Sequence, residues 1–201
     1  MALIPSQSAP SGRIGQALRA LHGENVCGDQ LGWWIRDGHW RLALADGLGH
    51  GREAHTAAAA AMRRLAERGE PGLREVFGDC DQALINTRGV ALAVVDIRPA
   101  EATIDHASVG NIRTLLIQSG QVKRLGGARG IVGAGFRGLR PERLAIAPGD
   151  WLVLFSDGIR ENAGLAESLM DAQPSDRLAE RLLEQWAGDQ DDASLLLYRH
   201  D

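Results

Sequence analysis

The order of apolar runs predicts an α+β fold: two packed antiparallel β-sheets flanked by pairs of helices. Three observations lead there. Short apolar runs follow one another across tight polar breaks, which antiparallel pairing permits and parallel pairing does not. Two helix-forming segments arrive together in the middle of the chain. Gly is frequent, 25 of 201 residues, and the glycines punctuate the apolar runs without forming a low-complexity block.

The runs Ile14–Leu21, Gln30–Arg36 and Trp40–Ala45 read as strands, and Asp37-Gly38 between the last two is a hairpin turn signal. Glu53–Arg68 is rich in Ala, Met, Leu and Arg and predicts a long helix, with Met62 and Leu65 on its buried face. Pro71-Gly72 breaks it, and Leu73–Asn86 predicts a second helix. Strands follow at Val90–Ile97, Ala102–Ser108 and Arg113–Gln118, with a further strand expected before Asp150–Phe155. Ser175–Trp186 is an amphipathic helix with Leu178, Leu182 and Leu183 at helical spacing, and Ser194–Tyr198 closes the chain as a strand. Adjacent Trp33 and Trp34 must face opposite sides of their strand, one toward the core and one outward.

A hydrophobic fraction of 44% and a charged fraction of 24% suit a globular chain and exclude disorder as the main state. The net charge is −4, so no basic field is present to hold nucleic acid or an anionic membrane. Cys27 and Cys80 have neither zinc-finger nor thioredoxin spacing, which favours a reducing compartment. The first twelve residues lack the form of a signal peptide, and no apolar run approaches the ~18 residues of a membrane span. The expectation is a cytoplasmic protein with a flexible tail over 1–12 and a single domain over 13–201.

The segment Asp46-Gly47-Leu48-Gly49-His50-Gly51 lies where a strand ends and the long helix begins. It admits three readings: a glycine-rich turn capped by Asp46, a dinucleotide fingerprint built on Gly49, Gly51 and Ala54, or a cation site. The fingerprint needs a strand ending in an acid about 20 residues on, where this chain has Glu67 to Glu70 at a helix end. For the cation site, the Asp46 carboxylate and the neighbouring Gly47 carbonyl are hard oxygen ligands of the kind Mg²⁺ and Mn²⁺ take. Two further acid sites share this character. Ser156-Asp157-Gly158 follows the apolar strand WLVLF, and Asp191-Asp192 precedes the terminal strand. Carboxylates gathered at one edge of a sheet sandwich repel unless cations lie between them. Two cations there suit phosphoryl or ester hydrolysis.

The ordered set Gly28-Asp29, Asp46 to Gly51, Ser108-Val109-Gly110-Asn111, Ser156-Asp157-Gly158 and Asp191-Asp192-Ala193-Ser194 resembles the PPM-type metal-dependent serine/threonine phosphatases. Its D-G-x-G-H-G element resembles their SpoIIE-type bacterial branch. The short length, together with SVGNIR and the Gly126–Gly135 stretch, resembles the small stand-alone feedback phosphatases of stressosome signalling. The resemblance implies an α-β-β-α sandwich with two divalent cations, Mn²⁺ or Mg²⁺, at one end. Asp46 would bridge them, the Gly47 carbonyl would bind one, and Asp157 and Asp191 would hold the other. Asp29 would act directly or through water, and Asp192 is the alternative to Asp191 one residue away. His50 would donate a proton, act from behind the ligands, or pack against the turn. The phosphate-gripping arginine of the family lies near the N-terminus, where Arg13 and Arg19 stand. The implied reaction is attack of an activated water, in line, on a phosphoserine or phosphothreonine of a stressosome scaffold or STAS-type antagonist. The alternative is a catalytically weak binding module of the same fold. Cys27 reads as a small buried residue, His55 as a surface or interface residue, Ala57–Ala61 as a close-packing helix face, and the Gly126–Gly138 stretch as a flap or a plain loop.

Overall fold

The computed structural model describes residues 12–67, 72–160 and 164–201. The expected tail lies outside the described residues except for Gly12, as does Pro71. One sheet runs in the order β1 (Ile14–Arg19), β12 (Ala193–Arg199), β11 (Trp151–Phe155), β6 (Arg113–Gln118) and β7 (Gln121–Leu125). The second runs β10 (Glu142–Ala145), β5 (Thr103–Val109), β4 (Val90–Arg98), β3 (His39–Gly47) and β2 (Asp29–Arg36). Every pairing in both is antiparallel. Helices α1 (Gly51–Glu67) and α2 (Leu73–Ala83) cover the second sheet, and α3 (Leu165–Leu169) and α4 (Asp176–Trp186) cover the first.

The four layers follow from the period-2 alternation of strands that are buried on both faces. In β4, Val90, Leu92 and Val94 face α1 and α2, while Ala91, Ala93, Val95 and Ile97 face the opposite sheet. β12 divides the same way: Leu195 and Leu197 meet α4, and Leu196 and Tyr198 enter the inter-sheet layer. Small side chains set the spacing. Ala57, Ala58 and Ala61 are fully buried on α1 and let the helix lie close on β3, as their composition suggested. The Ser175 side chain caps α4 by accepting from the Leu178 N–H, a contact that contributes about 1 kcal/mol. Trp33 is buried in the inter-sheet layer, and Trp34 packs half-buried on the helix side.

The structure extends the sequence reading in three places. The expected strand before β11 is three pieces: β7, the small hairpin β8 (Arg129–Ile131) with β9 (Gly135–Arg137), and β10. The five-residue α3 is too short to show a period. β1 ends at Arg19, short of Leu21, because the Leu21 N–H turns away to the Asp192 carboxylate at 2.9 Å. The dinucleotide reading of the glycine motif fails. β3 pairs antiparallel with β2 and β4, so the parallel β-α-β unit it requires is not formed. No helix among the described residues is long and apolar enough to cross a membrane.

His106 on β5 is fully buried, with Nε2 3.2 Å from the Thr114 hydroxyl and Nδ1 without a hydrogen-bond partner among the described residues. Burial pushes its pKa down from 6.5 to about 4. The unfolded chain therefore binds the proton first as pH falls. The stability held above pH 6.5 is lost progressively toward pH 4, by roughly 3 kcal/mol from this group. Urea unfolding at several pH values in this window checks it. His106→Gln is expected to flatten the fall by about one proton relative to wild type, and parallel curves would contradict it.

Candidate metal centre

Strand polarity brings the acidic motifs to one end of the sandwich. Asp29 opens β2 and Asp46 nears the end of β3, and the two are directly paired across the ladder. The other sheet contributes Asp157, just past β11, and Asp191 and Asp192, just before β12. The Ser156 N–H donates to the Ser194 carbonyl at 3.2 Å, and the Gly188 N–H to the Gly158 carbonyl at 2.9 Å, fixing these turns against each other. Two glycines permit the approach. A Cβ on Gly47 would overlap the Ala54 carbonyl of α1, and one on Gly158 would overlap the Asp192 carbonyl.

A cavity of about 440 Å³ opens here, lined among others by Asp46, Leu48, Asn111, Arg129, Asp157 and Asp191. Asp157 is exposed, and Asp46 and Asp191 are half-buried. The Asn111 amide donates to Asp157 Oδ2 at 2.6 Å and holds that carboxylate in place. Asp29 and Asp192 lie behind this layer, 1% and 3% exposed. Asp192 Oδ1 accepts from Leu21, while Oδ2 of Asp192 and Oδ2 of Asp29 have no hydrogen-bond partner among the described residues. Asp191 Oδ1 accepts from the Asp192 N–H at 2.8 Å. Of the two adjacent acids, then, Asp191 faces the cavity and Asp192 points inward.

The cluster is electrostatically costly. Burial, reinforced by Asp29, Asp157, Asp191 and Asp192, pushes the Asp46 pKa up to about 8. Burial pushes Asp29 up to about 6, partly offset by the hydroxyls of Ser156 and Ser194, with Asp192 and Asp191 adding repulsion. Asp191 is raised in the same direction, first by burial. Cys27 is half-buried, not fully buried as expected, and burial and then Asp29 raise its pKa, so its thiol stays protonated.

Divalent cations fit this donor set. It consists of hard oxygens, it carries excess negative charge, and it leaves two buried carboxylate oxygens without partners. Among the described residues no three His, Cys, Asp or Glu side chains are gathered closely enough to enclose an ion by themselves.

Other candidate residues lie around the site or away from it. His50 is exposed, and its Nδ1 lies 2.6 Å from Glu24 Oε1, a pairing the sequence did not reveal. His55 is half-buried. Its Nδ1 contacts the Cys27 carbonyl at 2.9 Å and ties α1 to the loop before β2. Arg13 pairs with Asp201 and stacks on Trp40, while Arg19 donates to the Gly188 carbonyl. Neither lines the cavity. Arg129 does, from within the glycine-rich stretch that was read as a flap or a loop. Asn111 was visible as part of SVGN, but its contact with Asp157 was not.

Similarity to known proteins agrees with this geometry. Phosphoserine phosphatase RsbX of Bacillus subtilis (strain 168) is 30% identical over 94 residues, 47% of each chain, so the match spans about half of that relative. A structure from work on the bacterial stressosome, described as a modular system adapted to control secondary messenger signalling, is 28% identical. It superposes with a TM-score of 0.88 over 93% of this chain and 98% of its own. RsbX in complex with magnesium superposes with a TM-score of 0.83 at 21% identity, over 94% of this chain and 96% of its own, and shares the fold. The family model for Stage II sporulation protein E matches residues 36–201, which hold four of the five acids of the cluster, and the chain belongs to the SpoIIE family.

Proposed function

We propose that this chain is a divalent-cation-dependent phosphatase. Its substrate is a phosphoserine or phosphothreonine on a regulator of bacterial stress signalling, a stressosome scaffold or STAS-type antagonist. The observation that carries the reading is the convergence of Asp46, Asp157 and Asp191 on one cavity, with Asp29 and Asp192 buried behind them, each with one oxygen unpartnered among the described residues. The phosphoserine phosphatase activity named for RsbX and the stressosome setting of the second relative support the substrate class.

Asp46, the Gly47 carbonyl, Asp157 and Asp191 would hold two cations, Mn²⁺ or Mg²⁺, with Asp29 and Asp192 supplying charge from behind. Bound there, such a pair offsets charge on the phosphoryl oxygens and lowers the pKa of a water that attacks phosphorus. The chain's own work is positioning. Asn111 fixes Asp157, and the paired turns of the first sheet fix Asp191 against it. Glu24 engages Nδ1 of His50 and fixes that ring on the turn after Asp46 and Gly47. Little covalent chemistry is asked of the side chains.

The test is dephosphorylation of a serine-phosphorylated STAS-domain protein, followed by intact mass. Loss of one phosphate with Mn²⁺ and its retention with EDTA is the expected result. A retained phosphate, from protein that hydrolyses small esters with Mn²⁺, would overturn the assignment to this substrate class.

A further inference from the structure

Among the described residues lining the carboxylate cavity, one side chain is cationic: Arg129. We infer that Arg129, carried on the β8–β9 hairpin, is the residue that seats the substrate's phosphoryl group, an inference that rests on the phosphatase reading above.

Charge balance calls for such a group. Asp29, Asp46, Asp157, Asp191 and Asp192 together bring up to five negative charges, and two divalent cations bring four positive ones. A phosphomonoester dianion entering that site meets a residual negative charge unless a further cation faces it. Nothing else in the lining supplies one: the remaining side chains named there are acidic, amide or apolar.

The placement of Arg129 is built into the fold. The Ala128 N–H donates to the Ser108 carbonyl at 2.8 Å, and the Gly110 N–H to the Ala128 carbonyl at 2.9 Å. On the other side, Val132 and Val90 exchange two backbone hydrogen bonds of 2.9 Å. The backbone around Arg129 is thus pinned to the ends of β4 and β5, beside Ala91 and Asn111 of the same cavity. The side chain itself is exposed and makes no hydrogen bond or ion pair among the described residues. Arg88, from the loop before β4, is by contrast engaged with Glu53. The stretch from Arg113 to Arg140 carries six basic residues and no acidic one in a chain of net charge −4. A guanidinium presents a planar fork that takes two phosphoryl oxygens at once, which fixes the orientation of phosphorus as well as its position.

The test compares wild type, Arg129→Ala and Arg129→Lys, all loaded with Mn²⁺. Three quantities are measured: KM and kcat for p-nitrophenyl phosphate, affinity for inorganic phosphate by calorimetry, and affinity for Mn²⁺. Arg129→Ala is expected to raise KM and weaken phosphate binding by about 10- to 100-fold, with a smaller effect on kcat, as befits loss of a charge-assisted contact. Mn²⁺ affinity and melting temperature stay unchanged. Arg129→Lys recovers part of the loss because it restores charge without the fork. An active wild type whose phosphate affinity and KM are untouched in Arg129→Ala overturns this inference and leaves the phosphatase reading standing. A loss of phosphate binding that merely follows a loss of Mn²⁺ binding also overturns it, by assigning Arg129 a structural role. A wild type that neither hydrolyses the ester nor binds phosphate with Mn²⁺ removes both.

Discussion

Asp46→Asn is expected to make the metal-free protein more stable while abolishing its hydrolytic activity. In the metal-free state the Asp46 carboxylate is half-buried opposite Asp29 and repelled by Asp29, Asp157, Asp191 and Asp192, which with its burial holds its pKa near 8. The sign follows from linkage. A folded-state pKa above the unfolded value of 3.8 means that the folded protein holds the proton more tightly. Stability is therefore lost as pH rises from about 4 through 8. At pH 8 the neutral amide removes that penalty, and the gain is on the order of 2–4 kcal/mol. In a chain of this size that raises Tm by roughly 4–16 °C. With saturating Mn²⁺ the order inverts. Wild type gains about 4.1 kcal/mol at a thousandfold excess over Kd, enough to offset the variant's advantage, and the variant gains little. Hydrolysis in the variant should fall well beyond the roughly 10- to 100-fold typical of losing a residue behind the ligands. Melting curves with EDTA and with Mn²⁺ check the crossing. A variant less stable than wild type in EDTA would contradict the account of Asp46 as a strained, cation-seeking carboxylate.

The second large effect is expected at Gly158. A Cβ there would sit within the Asp192 carbonyl oxygen and against the backbone of Ala193, and no flexible side chain is present to give way. Gly158→Ala must push the Asp157 turn away from the Asp191-Asp192 turn. The cost is about 3 kcal/mol, at the upper end of overpacking, with a Tm loss of roughly 6–12 °C. Because the same movement separates Asp157 from Asp191, Mn²⁺ affinity falls as well. Gly78 is the control. It lies within α2 with open space around it, and Gly78→Ala is expected to stabilise by up to about 1 kcal/mol through helix propensity. Chemical denaturation of both variants tests the contrast. Equal, small effects would mean that the turn at Gly158 is not the tight junction described.

The acids of the site were legible because each stands beside a recognisable apolar strand. Phe155 and the strand it ends announce Asp157, and the terminal strand from Ala193 announces Asp191 and Asp192. The α-β-β-α order was legible for the same reason: helices and strands long enough to show a period make up most of the chain. Arg129 was hidden. The three-residue strands β8 and β9 carry no period, and Arg129 reaches the site only because Ala128 and Val132 bridge to Val109 and Val90, distant in sequence. The one-residue choice between Asp191 and Asp192 is open in the sequence; in the structure the Leu21 N–H draws Asp192 inward. The Glu24 partner of His50 comes from a loop with no motif at all.

The central claim is that this carboxylate cluster works as a cation-dependent hydrolytic centre. Its most direct test is turnover of p-nitrophenyl phosphate by the purified chain, first stripped with EDTA and then resupplied with Mn²⁺ or Mg²⁺. The account predicts no hydrolysis after chelation and full recovery on adding back the cation. Turnover that persists undiminished in EDTA would contradict it.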